Sequence, residues 1–190
     1  MWHNQLTRIL RTRLFGHAEL IEQIVGAELS AETAGPTTVV VVRHADRDGQ
    51  LDKLTAAGTL RARALAEALA GAGISRILTS DTERAWLTAD PVQATTGAMV
   101  EITAYKGVPL DQHVDAVVAK IHAISGGSVL VIGHTDSVPK IVSRLGGPES
   151  LRDICFATFS RIFILHRRPP PVRTVEARYG ANESACGPGN

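Results

Sequence analysis

Val39-Val40-Val41-Val42 runs directly into Arg43-His44-Ala45-Asp46-Arg47-Asp48-Gly49. Four β-branched residues with no alternation predict a strand buried on both faces, the pattern of a parallel sheet. Open α/β sheets bind ligands at the carboxyl ends of their strands, so an Arg-His pair at that point is well placed for chemistry. The stretch before it, Ala31 to Thr38, is small and polar with Gly35-Pro36 and reads as a linker.

Downstream, helical and strand patterns alternate. Leu60, Ala64, Leu65, Ala68 and Leu69 form an apolar face. Thr55 is the expected N-cap of that helix, and Gly71 or Gly73 its stop. Ile74 to Thr79 reads as a strand. Ser80-Asp81 is read as the cap of a helix holding Arg84, with Pro91 within it or near its end. Met99 to Tyr105 is a weaker strand. Val114, Val117, Val118 and Ile121 mark a helix, and Ser128 to Ile132 a second doubly buried strand, ending in Gly133-His134-Thr135-Asp136-Ser137. A helix with Ile141, Val142 and Leu145 follows, then a strand from Phe159 to Leu165. The order β-α-β-α-β-α-β-α-β predicts a layered α/β domain. Arg167 to Asn190, with Pro169-Pro170-Pro171, reads as a tail.

The chain has 190 residues, 44% hydrophobic and 21% charged, which suits one soluble domain with extensions. Twenty Lys+Arg against nineteen Asp+Glu give a net charge of +1. That argues against a broad nucleic-acid-binding face and leaves room for a local basic pocket. No apolar run reaches the roughly 18 residues needed to cross a bilayer, so a cytoplasmic protein is expected. Met1 to Ala18 carries Arg8, Arg11 and Arg13, with Leu6, Ile9, Leu10, Leu14 and Phe15 at roughly helical spacing. It reads as an amphipathic helix: a surface helix, a transit-like segment, or one packed on the domain or a partner. The organisation expected is an extension and linker over 1–34, a domain over 35–166 and a tail over 167–190. A chain shortened to about 35–168 is expected to suffice for catalysis. Cys155 and Cys186 are too few for a disulfide framework or a multi-cysteine metal site. They leave one bridge or two unpaired thiols, the latter favoured because Cys186 lies in the tail.

One histidine at a strand end is more often structural than catalytic. Two at equivalent ends, His44 beside Arg43 and His134 after Gly133, shift that balance. Ser80-x-x-x-Arg84-Ala85-x-x-Thr88-Ala89 follows a third strand and can bring Arg84 to the same crevice. Together with Leu54-Thr55-x-x-Gly58, these motifs in this order resemble the histidine phosphatase superfamily, which includes the cofactor-dependent phosphoglycerate mutases. The resemblance covers about residues 37 to 165. The small form, with Gly-His-Thr-Asp-Ser-Val-Pro late in the sheet, is most similar to the bacterial branch related to the phosphohistidine phosphatase SixA. It implies a phosphoglycerate mutase-like three-layer α/β/α sandwich with a mostly parallel central sheet.

The resemblance also implies roles. His44 is the nucleophile, held transiently as a phosphohistidine. Arg43 and Arg84 present planar forks to phosphate oxygens, and His134, if protonated, adds a third donor. No cofactor is expected, and the scattered His and Asp residues show no metal-ligand spacing. The family's glycine after the first histidine is Ala45 here, which fits unless the backbone needs positive φ. Larger members use a glutamate as general acid, and no glutamate follows Glu101 before His134. Asp136 and Asp111 are the two proton-donor candidates of equal rank. Asp136 also reads as a helix N-cap. His113 shares Asp111's segment, and Asp46 reads as a solvated loop charge.

The expected activity is hydrolysis of a phosphomonoester or phosphoramidate, with a small phosphorylated substrate or a phosphoprotein as partner. Two alternatives are a phosphate-binding module with little turnover and, ranked lower, a phosphoglycerate-type mutase. The mutase needs an insertion for which the stretch between Arg84 and His134 is too short. Arg47 and Lys53 hint at an anionic substrate, although loop charges are more often simply solvated.

Overall fold

The computed structural model describes residues 38–49, 51–149, 151, 154–155, 157–167 and 171–183. The N-terminal extension and Cys186 lie outside the described residues. Strands β1 (Thr38–Arg43), β2 (Ile74–Ser80), β3 (Met99–Thr103), β4 (Ser128–Gly133), β5 (Arg161–His166) and β6 (Arg173–Arg178) form one sheet in the order β3-β2-β4-β1-β5-β6. The first four are parallel; β5 runs antiparallel to β1, and β6 antiparallel to β5.

Val39 to Val42 are all at most 2% exposed, and they alternate between two cores. Val39 and Val41 pack with Val114, Val117 and Ile121 of α3 (Leu110–Ala123) and with Ile141 and Val142 of α4 (Ser137–Arg144). Val40 and Val42 pack with Leu65 and Leu69 of α1 (Ala56–Leu69) and with Ala85, Ala89 and Val92 of α2 (Glu83–Thr96). Helices therefore cover both faces, giving the three layers. Each buried valine contributes about 1.5 kcal/mol or more relative to exposure, enough to make β1 a central strand.

Local motifs have identifiable causes. Thr55 caps α1, its side chain accepting from Gly58 N at 3.1 Å. A Cβ on Gly58 would fall 2.0 Å from the carbonyl oxygen of Asp46, so the helix start is pressed against the loop that follows His44. The cap of α2 is Thr82, which accepts from Ala85 N, and not Ser80-Asp81; Ser80 is the last residue of β2. Pro91 lies inside α2, and Gly97 ends that helix at φ +70°.

The tail reading is corrected from residue 173 onward. Arg173–Arg178 pairs along β5, with Arg161 bonded to Glu176 at 2.7 Å. Its sequence, Arg-Thr-Val-Glu-Ala-Arg, is that of a mostly exposed edge strand guarded by charge, and such a strand carries no apolar signature. The following residues reach the interior. Arg61, 5% exposed, donates to the Asp46 carboxylate at 2.5 Å and to the carbonyls of Tyr179 and Ala181, and pairs with Glu183 at 3.2 Å. Asp46 is thus a paired structural carboxylate, not a solvated loop charge. Ending the chain at 168 removes β6 and strips Arg61 of Glu183 and two carbonyls. Breaking such a buried pair costs roughly 3 kcal/mol or more. Urea unfolding of the shortened chain is expected to show a markedly lower midpoint; an unchanged midpoint would contradict the role given to this segment. No helix among the described residues is long and apolar enough to cross a membrane.

Candidate active site

Strands β2, β4 and β1 are neighbours, and their register brings the motifs together. Arg43 stands opposite Gly133 and Thr79 opposite Ile132, so the residues just past each strand share one crevice. His44 N donates to Gly133 O at 3.0 Å. The rings of His44 and His134 lie 5.3 Å apart. Arg43, His44, Arg84 and His134 all line one cavity of about 570 Å³, so the structure collects the four residues named from sequence.

Each member is held by identifiable contacts. The Arg43 guanidinium stacks 3.9 Å over the Phe159 ring and donates to the carbonyls of Cys155 and Thr158. Burial, with help from nearby Arg47, lowers its pKa to about 10, which still leaves it charged at neutral pH. Ala45 N donates to Thr88 Oγ1, which donates to Arg84 O, so the Thr of the Ala-x-x-Thr-Ala motif ties the loop after β1 to the first turns of α2. No described non-glycine residue has positive φ, which is why alanine fits after His44.

The imidazoles have defined tautomers. His44 Nδ1 lies 2.8 Å from Ala45 O. A carbonyl can only accept, so Nδ1 carries the proton and Nε2 keeps a lone pair. His134 Nδ1 lies 3.2 Å from Arg84 Nη2, which can only donate, and its Nε2 lies 2.9 Å from Ser80 Oγ. His134 therefore accepts from Arg84 and donates to Ser80. Burial, then neighbouring Arg43 and Arg84, lowers the His44 pKa to about 3. Burial and the adjacent His44 and Arg84 likewise hold His134 far below 6.5. His134 is therefore neutral here, and the condition set from sequence, that it be protonated to act as a third donor, would be favoured by a phosphate dianion.

This has a stability consequence. The unfolded chain binds a proton at each histidine below about pH 6.5, whereas the folded site does not. Stability is therefore present above pH 6.5 and falls as pH drops toward 3, by up to about 1.4 kcal/mol per unit for each ring. Urea midpoints of wild type are expected to decline more steeply between pH 6.5 and 4.5 than those of His134→Gln; parallel profiles would contradict the assignment.

Two residues that sequence reasoning missed complete the site. Asp52 accepts from Arg84 Nη1 at 2.6 Å, Lys106 Nζ at 2.8 Å, and the backbone N–H groups of Glu83 and Arg84. Its burial opposes ionisation, but these hydrogen bonds prevail and hold its pKa well below the usual carboxylate range. Tyr105 stacks on His134 at 3.8 Å and its hydroxyl donates to Asp136 at 3.1 Å. Neither had a local signal.

The two proton-donor candidates part company. Asp136 lines the cavity and stands at the N-cap position of α4 as read from sequence, but its side chain makes no capping bond. Asp111 pairs with Lys140 at 2.9 Å and is absent from the cavity lining. His113 is buried with Nδ1 on Ala104 O and its ring edge against Tyr105, so it braces Tyr105. Cys155 lines the cavity and is disulfide-bonded, which corrects the reading of unpaired thiols. Among the described residues, no cluster of three or more His, Cys, Asp or Glu could hold a metal ion.

Comparison with known proteins agrees with this architecture. Residues 31–107 match the family model described as histidine phosphatase superfamily (branch 1). No curated protein matches the chain. Among solved structures, a protein assigned as the phosphohistidine phosphatase SixA of Agrobacterium tumefaciens aligns with TM-score 0.54 and 21% identity, covering 77% of this chain and 99% of the other. The protein histidine phosphatase SixA complexed with tungstate aligns with TM-score 0.53 and 26% identity, covering 67% and 86%. A mycobacterial glucosyl-3-phosphoglycerate phosphatase aligns with TM-score 0.52 and 18% identity, covering 76% and 99%. Residues 31–107 thus resemble the histidine phosphatase superfamily in sequence, and the fold is similar to that of SixA-like proteins.

Proposed function

We propose that the protein is a phosphatase that hydrolyses a phosphomonoester or phosphoramidate through a phosphohistidine on His44. The observation that carries this reading is the His44 tautomer. Its Nδ1–H is fixed on Ala45 O, which leaves Nε2 as the free nucleophile in a cavity flanked by two arginines. The Nε2 lone pair attacks phosphorus as the bond to the leaving oxygen or nitrogen breaks. Arg43 and Arg84 bear the charge on the equatorial oxygens. The leaving group takes a proton from the general acid; water then attacks phosphorus and returns a proton to that group, the P–N bond breaks, and His44 returns neutral with release of phosphate. The neighbour whose structure holds tungstate, a tetrahedral oxyanion, supports phosphate as the group recognised.

Of the two candidate acids, Asp136 is the proposed proton donor, because its carboxyl lines the cavity and Asp111 is committed to Lys140. General-acid help matters most for poor leaving groups. Asp136→Asn is therefore expected to slow an alkyl phosphate about tenfold more than 4-nitrophenyl phosphate; equal slowing of both would remove Asp136 from that role. The proposed activity itself is tested by rapid-quench kinetics with 4-nitrophenyl phosphate. A burst of nitrophenol ahead of phosphate release is expected. Binding of phosphate with no hydrolysis would instead identify a phosphate-binding module.

A further inference from the structure

We propose that Arg47 forms a second anion subsite, so that the substrate is a small phosphomonoester whose leaving group carries a further anionic group such as a carboxylate. This rests on the phosphatase reading for which end of the cavity takes the phosphoryl group.

The cavity, about 570 Å³, is of the size that holds whole small ligands and exceeds what a phosphoryl group needs. Arg43, His44, Arg84 and His134 account for the phosphoryl group. The lining also includes Leu110, Pro139, Ile154 and Tyr105, surfaces for a carbon skeleton, and Arg47.

The cations around this cavity differ in what they are bonded to. Arg84 and Lys106 are paired with Asp52, and Lys140 with Asp111. Arg47 lines the cavity, yet no carboxylate pairs with it among the described residues. Its backbone is fixed by a bridge to Leu54. Its charge is felt at Arg43 and His44 on its own segment and at Tyr105 on another, so it acts inward as well as toward solvent. Lys53, in the same loop, does not line the cavity and lies 3.9 Å from Glu83. Both side chains are exposed, but of the two only Arg47 lines the cavity, and only Lys53 has a carboxylate beside it among the described residues. An unpaired guanidinium next to a phosphate site favours a ligand with a second negative charge, through a fork suited to carboxylate.

The test compares phenylphosphonate with 3-carboxyphenylphosphonate, stable analogues that differ by one carboxylate, by calorimetric binding to the full chain. A charge-assisted contact predicts that the carboxylated analogue binds about tenfold more tightly. That ratio is expected to fall to about one in Arg47→Gln and to persist in Lys53→Gln, which removes the same charge from the same loop. Equal affinities in wild type, or a ratio untouched by Arg47→Gln, would overturn the subsite. A ratio lost equally in both variants would show a long-range field and no contact, and would overturn it too. Phenyl phosphate turnover measured alongside separates the two claims: a preserved binding ratio without hydrolysis overturns the phosphatase reading and leaves the subsite standing.

Discussion

His44→Ala is expected to lower turnover of any phosphate ester to background, a loss beyond what the other substitutions produce. The imidazole supplies the only bond-forming atom in the proposed first step. Alanine leaves Arg43, Arg84 and His134 to bind phosphate but gives the phosphoryl group nothing to form a covalent bond with. Binding and turnover should therefore separate. Inorganic phosphate should still bind to His44→Ala, because the arginines are held by other partners: Arg43 by Phe159 and two carbonyls, Arg84 by Asp52. Folding should not suffer greatly, since a neutral buried ring with one hydrogen bond is removed and its desolvation cost disappears with it. Kinetics and phosphate titration on one preparation check both halves. Residual turnover within tenfold of wild type would move the nucleophile elsewhere.

Arg84→Lys is expected to lower the catalytic rate roughly 10²-fold or more while conserving charge. Arg84 uses two arms at once, Nη1 on Asp52 at 2.6 Å and Nη2 on His134 at 3.2 Å. A lysine ammonium is a single point and cannot reproduce that planar span. Its side chain is 13% exposed and its Nε is buried without a hydrogen-bond partner, an arrangement that suits an incoming oxyanion. Inhibition by vanadate should weaken in parallel with rate. A helix-surface pair with Glu83 or Asp81, worth only about 0 to 1 kcal/mol, would make the substitution silent; the observed partners are instead Asp52 and His134.

Why some of this was legible and some not follows from physics. Val39–Val42 and Val129–Ile132 announce themselves because a strand covered on both faces must be apolar throughout, and their ends fix where Arg43, His44 and His134 emerge. β6 was hidden because an edge strand needs no apolar run, and Arg173 to Arg178 looks like surface composition. Nothing near Arg61 in the chain marks it as buried, because its partner Glu183 lies far along the sequence. Asp52 and Tyr105 act across 32 and 31 residues, on Arg84 and Asp136, and no local spacing encodes such contacts. The same limit left Asp111 and Asp136 equal in sequence; the cavity lining and the position of Lys140 separate them. The neutral state of His134 depends on burial between charges, which a motif does not report.

The most direct measurement is to locate the phosphate on the enzyme itself. Protein mixed with a labelled aryl phosphate and quenched in base during turnover should carry acid-labile, base-stable phosphate, and peptide mapping should place it on His44. Label on any other residue, or a productive enzyme that never carries label at any quench time, would contradict the mechanism.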